Sequence, residues 1–329
     1  MDKNSKQSVT IHDVARVAGV SKSTVSLVLQ GKGKTSALAK EKVHAAIQQT
    51  GYVYNREAAA LRSKSSDLVA IVVNDLTTPY CAKLAVTLEN HIRALGFMTT
   101  LVNTNDNALT QAQVIAKLQE YRVRALVISP AINTQASWLN QLKTPHTQVV
   151  TIMRQVANSN VPCVLPNNEH GICQATQALL AKGHKHIAFI GGDAVASEYI
   201  QRLNGFNNAL NGQHDIQSWV FNSSANRHGG RIAMSQCLAQ VPQVESVVCF
   251  NDVVAYGAIE HLREQGLRPG TDISIIGFED LDDSQFMNPP LSSIRVDADE
   301  IAKTVCDLIL NNTQEGVFLT NTEFIQRQS

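Results

Sequence analysis

The sequence predicts an α/β protein in which a small all-α head precedes a body of two doubly wound parallel sheets. From residue 68 onwards, short apolar runs alternate with helical stretches, as in parallel sheets covered by helices. The first 54 residues lack such runs and hold three short amphipathic stretches instead. We therefore expect a head over 1–54, a linking segment over 55–66 and a body over 67–329.

The body begins with the apolar run Leu68–Val73, which suits a strand buried on both faces of a parallel sheet. The alternation of strands and helices is too long for one small sheet, and its repetition predicts two similar halves. The further strands are expected at 98–102, 125–129, 148–152, 186–190, 220–221, 246–250 and 273–278. The helices between them are expected at 81–95, 111–121, 171–182, 200–210, 227–239 and 253–265.

Three short helices are predicted in the head, each with a hydroxyl residue at its start. These residues are Thr10, Ser21 and either Thr35 or Ser36. Two short helices around a glycine-bearing turn, closed by a third, form a helix-turn-helix. In that arrangement the second helix enters the major groove of DNA, with its first residues against base edges.

The charge is distributed unevenly along the chain. The whole chain is neutral, with 28 Lys and Arg balancing 28 Asp and Glu. Residues 1–65 hold eleven basic side chains against four acidic ones, which leaves 17 basic and 24 acidic side chains in the remainder. A basic head on an acidic body is typical of a nucleic-acid-binding protein with a second function. A solvated helical face is the alternative explanation of the charge.

The second helix places several polar side chains where DNA would lie. Lys22 can donate to guanine O6 and N7, and the hydroxyl residues can reach bases or phosphates. We expect Lys34 to meet a phosphate. Within the head, the predicted DNA contacts are Thr10, Ser21, Lys22, Ser23, Thr24, Ser26 and Lys34.

Polar residues also follow several strands of the body. Asp75 and Arg154 come after two strands of the first half, and Asn251 and Glu279 after two strands of the second. Ligands of doubly wound sheets bind beyond the carboxyl ends of the strands. Each residue alone is more often a strand-end cap or a surface charge, but several together favour a ligand cleft. Tyr80 can contribute an aromatic face to it.

Two sequence motifs within the first 61 residues are specific to one protein family. They are D-V-A-x-x-A-G-V-S-x-x-T-V-S at 13–26 and N-R-x-A-x-x-L at 55–61. The body adds N-D-L-T-T-P-Y at 74–80, R-L-N-G-F at 202–206, C-F-N-D-V-V-A-Y-G-A at 249–258 and D-I-S-I-I-G-F-E-D at 272–280. In these strings the chain resembles the LacI/GalR family of bacterial transcription regulators along nearly its whole length.

The resemblance implies that 55–62 is a hinge helix that orders when two copies meet in the minor groove. An isolated helix of eight residues would not be stable in water. Leu61 matches the position that wedges between base steps, and Asn55, Arg56 and Ala58 are the accompanying DNA contacts. The alternative is an ordinary connector in which Leu61 packs on the head.

For the body, the resemblance implies an effector domain shaped like a periplasmic sugar-binding protein. It makes Arg202, Asn251 and Glu279 effector contacts, with Asp75, Tyr80 and Arg154 lining the same cleft. Two departures are noted: Glu279 stands where the family usually has Asp, and Asn167 where an Asp is common. The implied chain crossings lie near 166, 295 and 325, so that the first subdomain would hold 67–166 and 296–325.

Together these features predict a DNA-binding regulator, most simply a repressor, controlled by a sugar or related metabolite. We expect a homodimer on a near-palindromic operator. The sequence contains no phosphate loop, no G-x-G-x-x-G after a strand, no H-E-x-x-H and no G-x-S-x-G, so an enzyme is not expected. No cofactor or metal is expected either.

Other function classes are less consistent with the sequence. Six widely spaced cysteines, no long apolar run and no apolar leader favour the cytoplasm and exclude a membrane span. An exported sugar-binding protein would need a leader and would have no basic head. An architectural DNA-binding protein would not need a large body with polar strand ends. His184 and His186 flank Lys185 and favour a polar surface over a metal site.

Overall fold

The computed structural model describes residues 9–29, 34–54 and 66–329. The chain forms two compact units, residues 1–66 and residues 67–329. The boundary between the two units lies where the hydrophobic pattern of the sequence changes, at the start of the first apolar strand. Asn55, Arg56, Ala58 and Leu61, predicted to contact DNA, lie outside the described residues.

The head contains the three helices that the sequence predicts. They are α1 (Ile11–Ala18), α2 (Lys22–Leu29) and α3 (Ala37–Thr50). Gly19 ends α1 with a φ of +63°, a conformation that glycine adopts without steric cost. Ser36 caps α3 by accepting a hydrogen bond from the Ala39 amide. The three helices enclose a small apolar core of Val14, Val25, Val28, Val43 and Ala46.

The first sheet of the body is entirely parallel, in the order β11-β5-β4-β3-β1-β2. Its strands are β1 (Leu68–Val73), β2 (Met98–Asn103), β3 (Ala125–Ile128), β4 (Gln148–Ile152), β5 (Cys163–Pro166) and β11 (Val317–Thr320). Its helices are α4 (Pro79–Ala94), α5 (Ala108–Glu120), α6 (Ala136–Gln141) and α11 (Ala298–Leu310). β1 lies inside the sheet, between β3 and β2, and is almost wholly buried, which explains its continuous apolar sequence.

The second sheet has a similar design, in the order β12-β10-β9-β8-β6-β7, except that its edge strand β12 runs antiparallel. Its strands are β6 (His186–Ile190), β7 (Gln217–Phe221), β8 (Ser246–Cys249), β9 (Ser274–Glu279), β10 (Ser292–Val296) and β12 (Thr322–Ile325). Its helices are α7 (Asn168–Ala181), α8 (Ser197–Leu210), α9 (Arg227–Gln240) and α10 (Asp252–Glu264), with a short 3₁₀ helix at Asp282–Phe286. The predicted class, a helical head with two doubly wound sheets, is confirmed.

The chain passes between the two sheets three times. Two passages, after β5 and after β10, lie beside the expected positions 166 and 295. The third was expected near 325, but it occurs at Asn321, between β11 and β12. The reason is that β12 pairs antiparallel with β10, from Val296 opposite Thr322 to Ser293 opposite Ile325, which places it in the second sheet.

Four strands and two helices were not predicted: β5, β10, β11, β12, α6 and α11. β10 reads S-S-I-R-V and lacks the apolar run by which the other central strands were found. β11 and β12 are separated by one residue, so no turn signal divides them. Among the described residues, no helix combines the length and the apolar character that crossing a bilayer requires.

Candidate functional site

A cavity of about 450 Å³ lies between the carboxyl ends of the two sheets. Its walls come from segments that follow β1, β2, β3, β4, β6, β7, β8 and β9, as expected when the carboxyl ends of two parallel sheets face each other. All six residues singled out for a ligand line it. They are Asp75, Tyr80, Arg154, Arg202, Asn251 and Glu279.

Arg202, on α8, is the most enclosed charged group of the cavity, with only 2% of its surface exposed. Its Nη1 donates to the Phe250 carbonyl at 2.6 Å and its Nε to Asn168 Oδ1 at 2.9 Å. The guanidinium carbon lies 3.9 Å from the ring centroid of Phe278 and 4.4 Å from that of Phe250. Burial lowers the pKa of Arg202, and the charge of Glu279 opposes this effect. The side chain is therefore rigidly held, with Nη2 making no hydrogen bond to the described residues.

Glu279 ends β9 with a φ of +106°, a conformation that costs a non-glycine residue free energy. Burial raises the pKa of its carboxyl to about 8, against the opposing charge of Arg202. At neutral pH the carboxyl is therefore largely protonated and can donate a hydrogen bond to a ligand.

Asn251 caps α10, because its Oδ1 accepts the Val254 amide at 2.9 Å. The amide nitrogen of its side chain remains for a ligand. The next residue, Asp252, is fully buried and does not line the cavity. It accepts the Ser284 hydroxyl at 2.6 Å and the Leu281 amide at 2.7 Å, and so ties down the loop after β9. Burial raises the pKa of Asp252 to about 6.

Arg154 lines the cavity, and two carboxylates hold its guanidinium group. Its Nη1 lies 2.7 Å from Asp106 Oδ1 and its Nη2 lies 2.7 Å from Glu198 Oε1. Nη1 also donates to the Pro130 carbonyl at 2.8 Å. Burial alone would lower the pKa of Arg154, but hydrogen bonds and charge from Glu198, then from Asp106, raise it. The side chain is an ion-pair centre that joins the two lobes.

Sequence reasoning missed Asp106 and Glu198, both of which line the cavity. Signals for both are present in the sequence. Glu198 lies four residues before Arg202 on α8 and therefore on the same helical face. Asp106 follows β2, at the same edge of the sheet as Asp75.

Aromatic side chains form the apolar part of the wall. Tyr80 is buried, and its hydroxyl donates to the Val296 carbonyl at 3.4 Å. Phe250 stacks on Tyr199 with ring centroids 6.3 Å apart. Gly192 lies against both rings: a Cβ there would lie 2.6 Å from Phe250 and 2.7 Å from Tyr199. Its φ of +86° is a second reason for glycine at this position.

In the head, Lys22 and Ser23 are exposed on the first turn of α2, and Lys34 is exposed before α3. Ser21 caps α2, since its Oγ accepts the Thr24 amide at 3.1 Å, and its hydroxyl pairs with that of Thr24 at 2.8 Å. Lys22 and Ser23 are thus the exposed side chains of this turn that make no hydrogen bond to another described residue.

The hydroxyl of Thr10 is used within the head as well. It donates to Asp13 Oδ2 at 2.8 Å, and the Thr10 amide donates to the same oxygen at 3.0 Å. The Asp13 carboxylate therefore closes the first turn of α1, as the capping-box-like start predicts. Ser26, one turn beyond Lys22 on α2, is partly buried.

A helix-turn-helix head and a two-lobed body with a polar cavity define the class of ligand-responsive transcription regulators. Comparison with known proteins gives the family. Residues 10–55 match "Bacterial regulatory proteins, lacI family", and residues 66–327 match "Periplasmic binding proteins and sugar binding domain of LacI family". The chain belongs to the LacI family.

Individual relatives agree with this assignment. The chain is 30% identical to the maltose regulon regulatory protein MalI of Escherichia coli K12, over 92% of each chain. It is 31% identical to the transcriptional repressor PurR of Histophilus somni, covering 93% of this chain and 92% of that one. A lac repressor dimer bound to operator and the anti-inducer ONPF superposes with a TM-score of 0.86 at 25% identity, over 98% of this chain and 99% of that chain. The protein is a transcription regulator and not an enzyme.

Proposed function

We propose that this regulator binds a near-palindromic operator as a homodimer and represses transcription until a small molecule in the cavity changes its DNA affinity. The observation that carries the proposal is the convergence of all six predicted contacts on one cavity. A chain that only bound DNA would not need such a cavity. The ligand class that we favour is a sugar or related metabolite.

DNA recognition rests on the exposed first turn of α2 in the head. Lys22 reads a base edge, and Lys34 with Arg56 meets phosphates. The 55–66 segment acts as the hinge, with Leu61 wedged between base steps of the minor groove. The lac repressor dimer bound to operator supports this arrangement, since it resembles the chain over nearly its whole length.

Control of DNA affinity follows from the two-lobed body. A ligand that contacts Arg202, Asn251 and Glu279 from one lobe and Asp75 and Tyr80 from the other alters the separation of the lobes. Thermodynamic linkage then requires that a ligand which changes DNA affinity binds the free and DNA-bound states with different strength. We place this activity in the cytoplasm, consistent with six free cysteines.

The test uses the full chain in two steps. Selection from a random duplex library should yield a symmetric site bound more tightly than random DNA. A thermal-shift screen of sugars, sugar phosphates and nucleobases should then give a compound that shifts the melting temperature and the operator affinity together. A chain that distinguishes no duplex from random DNA would disprove the proposal. A compound that stabilises the body without changing DNA affinity would show that its binding does not control DNA binding.

A further inference from the structure

The cavity is acidic before any ligand enters it. Two guanidinium groups, those of Arg154 and Arg202, line it, and among the described residues no Lys or His does so. The carboxyl groups that line it are those of Asp75, Asp106, Asp193, Glu198 and Glu279. The formal charge of the wall is therefore negative, whatever occupies the centre.

Arg154 has little capacity left for an anion. Its Nε donates to both oxygens of Glu198 at 3.0 and 3.1 Å, and its Nη2 donates to Glu198 Oε1. Its Nη1 is taken by Asp106 and by the Pro130 carbonyl. A phosphate or carboxylate could reach this guanidinium only by displacing a carboxylate that already holds it.

Arg202 offers one nitrogen, Nη2, because Asn168 and the Phe250 carbonyl engage the other two. The carboxyl groups of Asp75, Asp193 and Glu279 form no ion pair with a described Lys or Arg side chain within 4.0 Å. Hydroxyl groups match this set well, since each can donate to a carboxylate and accept from Nη2 or from an amide. An anion matches it poorly, because like charges in a partly desolvated site repel strongly.

We propose that the cavity takes a polyhydroxylated ligand without negative charge and rejects its phosphorylated and carboxylated counterparts. The inference rests on the proposed function, because it specifies the ligand of the same cavity. The wall stays negative even with Glu279 protonated, since burial raises the pKa of that carboxyl to about 8 but four other carboxylates still outnumber the two guanidinium groups.

The first test uses the native full chain and matched pairs of ligands. Glucose, maltose and ribose are compared with glucose 6-phosphate, maltose 6′-phosphate and ribose 5-phosphate by thermal shift and calorimetry. In any pair that binds, we expect the uncharged member to bind about tenfold or more tightly than its phosphate. A phosphorylated member that binds as tightly as its partner, or more tightly, overturns the proposal.

The second test asks whether the carboxylates are what excludes anions. Inorganic phosphate is the probe, with chloride at equal ionic strength as the reference. Phosphate stabilises folded proteins in general, so its specific effect is judged against the triple variant Asp106→Asn/Glu198→Gln/Arg154→Gln. The native chain should be stabilised by phosphate no more than this triple variant, whereas the double variant Asp106→Asn/Glu198→Gln should be stabilised more than both through Arg154. A native chain stabilised more than the triple variant, or a folded double variant stabilised no more than the triple variant, overturns the proposal.

The two tests keep this inference separate from the proposed function. If the double variant does not fold, the comparison of each sugar with its phosphate, which uses the native chain, decides the inference. If no sugar of either kind binds, the sugar class of the proposed function fails, and the phosphate experiment still decides whether the cavity excludes anions.

Discussion

Arg154 and Glu198 form an ion pair that joins the two lobes of the body. Arg154 follows β4 of the first sheet and Glu198 lies on α8 beside the second sheet, yet Nη2 and Oε1 are 2.7 Å apart. The side chains are only 9% and 15% exposed, so solvent screens the pair weakly. Since Glu198 also lines the cavity, a ligand there is in contact with the link between the lobes.

Replacing Glu198 with Ala should destabilise the body by about 1.5–3 kcal/mol, because a nearly buried guanidinium loses its charged hydrogen-bond acceptor while it keeps Asp106. Urea denaturation of the full chain measures the change in the free energy of unfolding. The matched control is Glu264→Ala, which breaks an ion pair of Arg231 that has the same 2.7 Å distance but a 51% exposed carboxylate.

The control should cost about 1 kcal/mol or less, as exposed ion pairs generally do. Equal losses in the two variants would mean that the pair between the lobes contributes no more than a surface contact, and the proposed link would then have no energetic basis.

The cavity could be located from the sequence because its position follows from a topological rule. Asp75, Arg154, Asn251 and Glu279 each follow a strand, and parallel strands bring such residues to one edge. The pairing of Arg154 with Glu198 spans 44 residues, and no local pattern encodes a contact at that distance. The positive φ of Glu279 is also set by the tertiary structure, because β9 alone favours no such conformation.

Changing Arg202 to Ala should leave operator binding intact and abolish the ligand response. The guanidinium is far from the head in sequence and is held among cavity residues by Asn168 and Phe250. Loss of a buried charged donor should weaken ligand binding by about 2–5 kcal/mol. Fluorescence anisotropy on labelled operator, with and without the compound found in the screen, measures both properties.

Arg268→Ala is the control for this experiment, since Arg268 is exposed and pairs only with Asp272 among the described residues. It should behave as the native chain does. A normal ligand response in the Arg202→Ala variant would remove Arg202 from the set of ligand contacts.

Glu279 should make the stability of the body fall as the pH rises. Its pKa is raised to about 8 in the folded chain from the ordinary value of 4.5, so the folded state binds more protons between these values. Its contribution is complete below about pH 4.5 and is lost as the pH passes through about 8. Asp252, raised to about 6, acts the same way at lower pH. The buried thiols act the same way above about pH 8, because burial raises their pKa values above the ordinary value of 9.0. The interval between about pH 6 and 8 therefore isolates Glu279.

Glu279→Gln should therefore flatten the pH dependence between about pH 6.5 and 8, where the native chain should lose about 1.5 kcal/mol. Urea denaturation at both ends of this interval measures the difference. Glu323→Gln, at an exposed carboxylate, should keep the native profile. Parallel profiles for the native chain and Glu279→Gln would show that the Glu279 carboxyl titrates alike in the folded and unfolded states.

Lys22 should determine one base of each half-site. It is exposed on the first turn of α2, at the end of a helix that a helix-turn-helix directs into the major groove. An ammonium group that donates to guanine O6 and N7 discriminates by about 1–3 kcal/mol against other bases. Lys22→Ala should therefore relax the preference at one symmetric pair of positions, which binding to a library of single-base operator variants would reveal.

A phosphate contact would behave differently. The variant would then bind all operator sequences more weakly by a similar factor, and the dependence of log K on log salt would become shallower by about 1 for each lysine lost. Ser23→Ala is the matched comparison, because Ser23 is the neighbouring exposed residue and carries no charge. It should leave the salt dependence unchanged. A shallower slope with Lys22→Ala would then report the loss of the lysine charge alone and would assign Lys22 to a contact with the phosphate backbone of DNA.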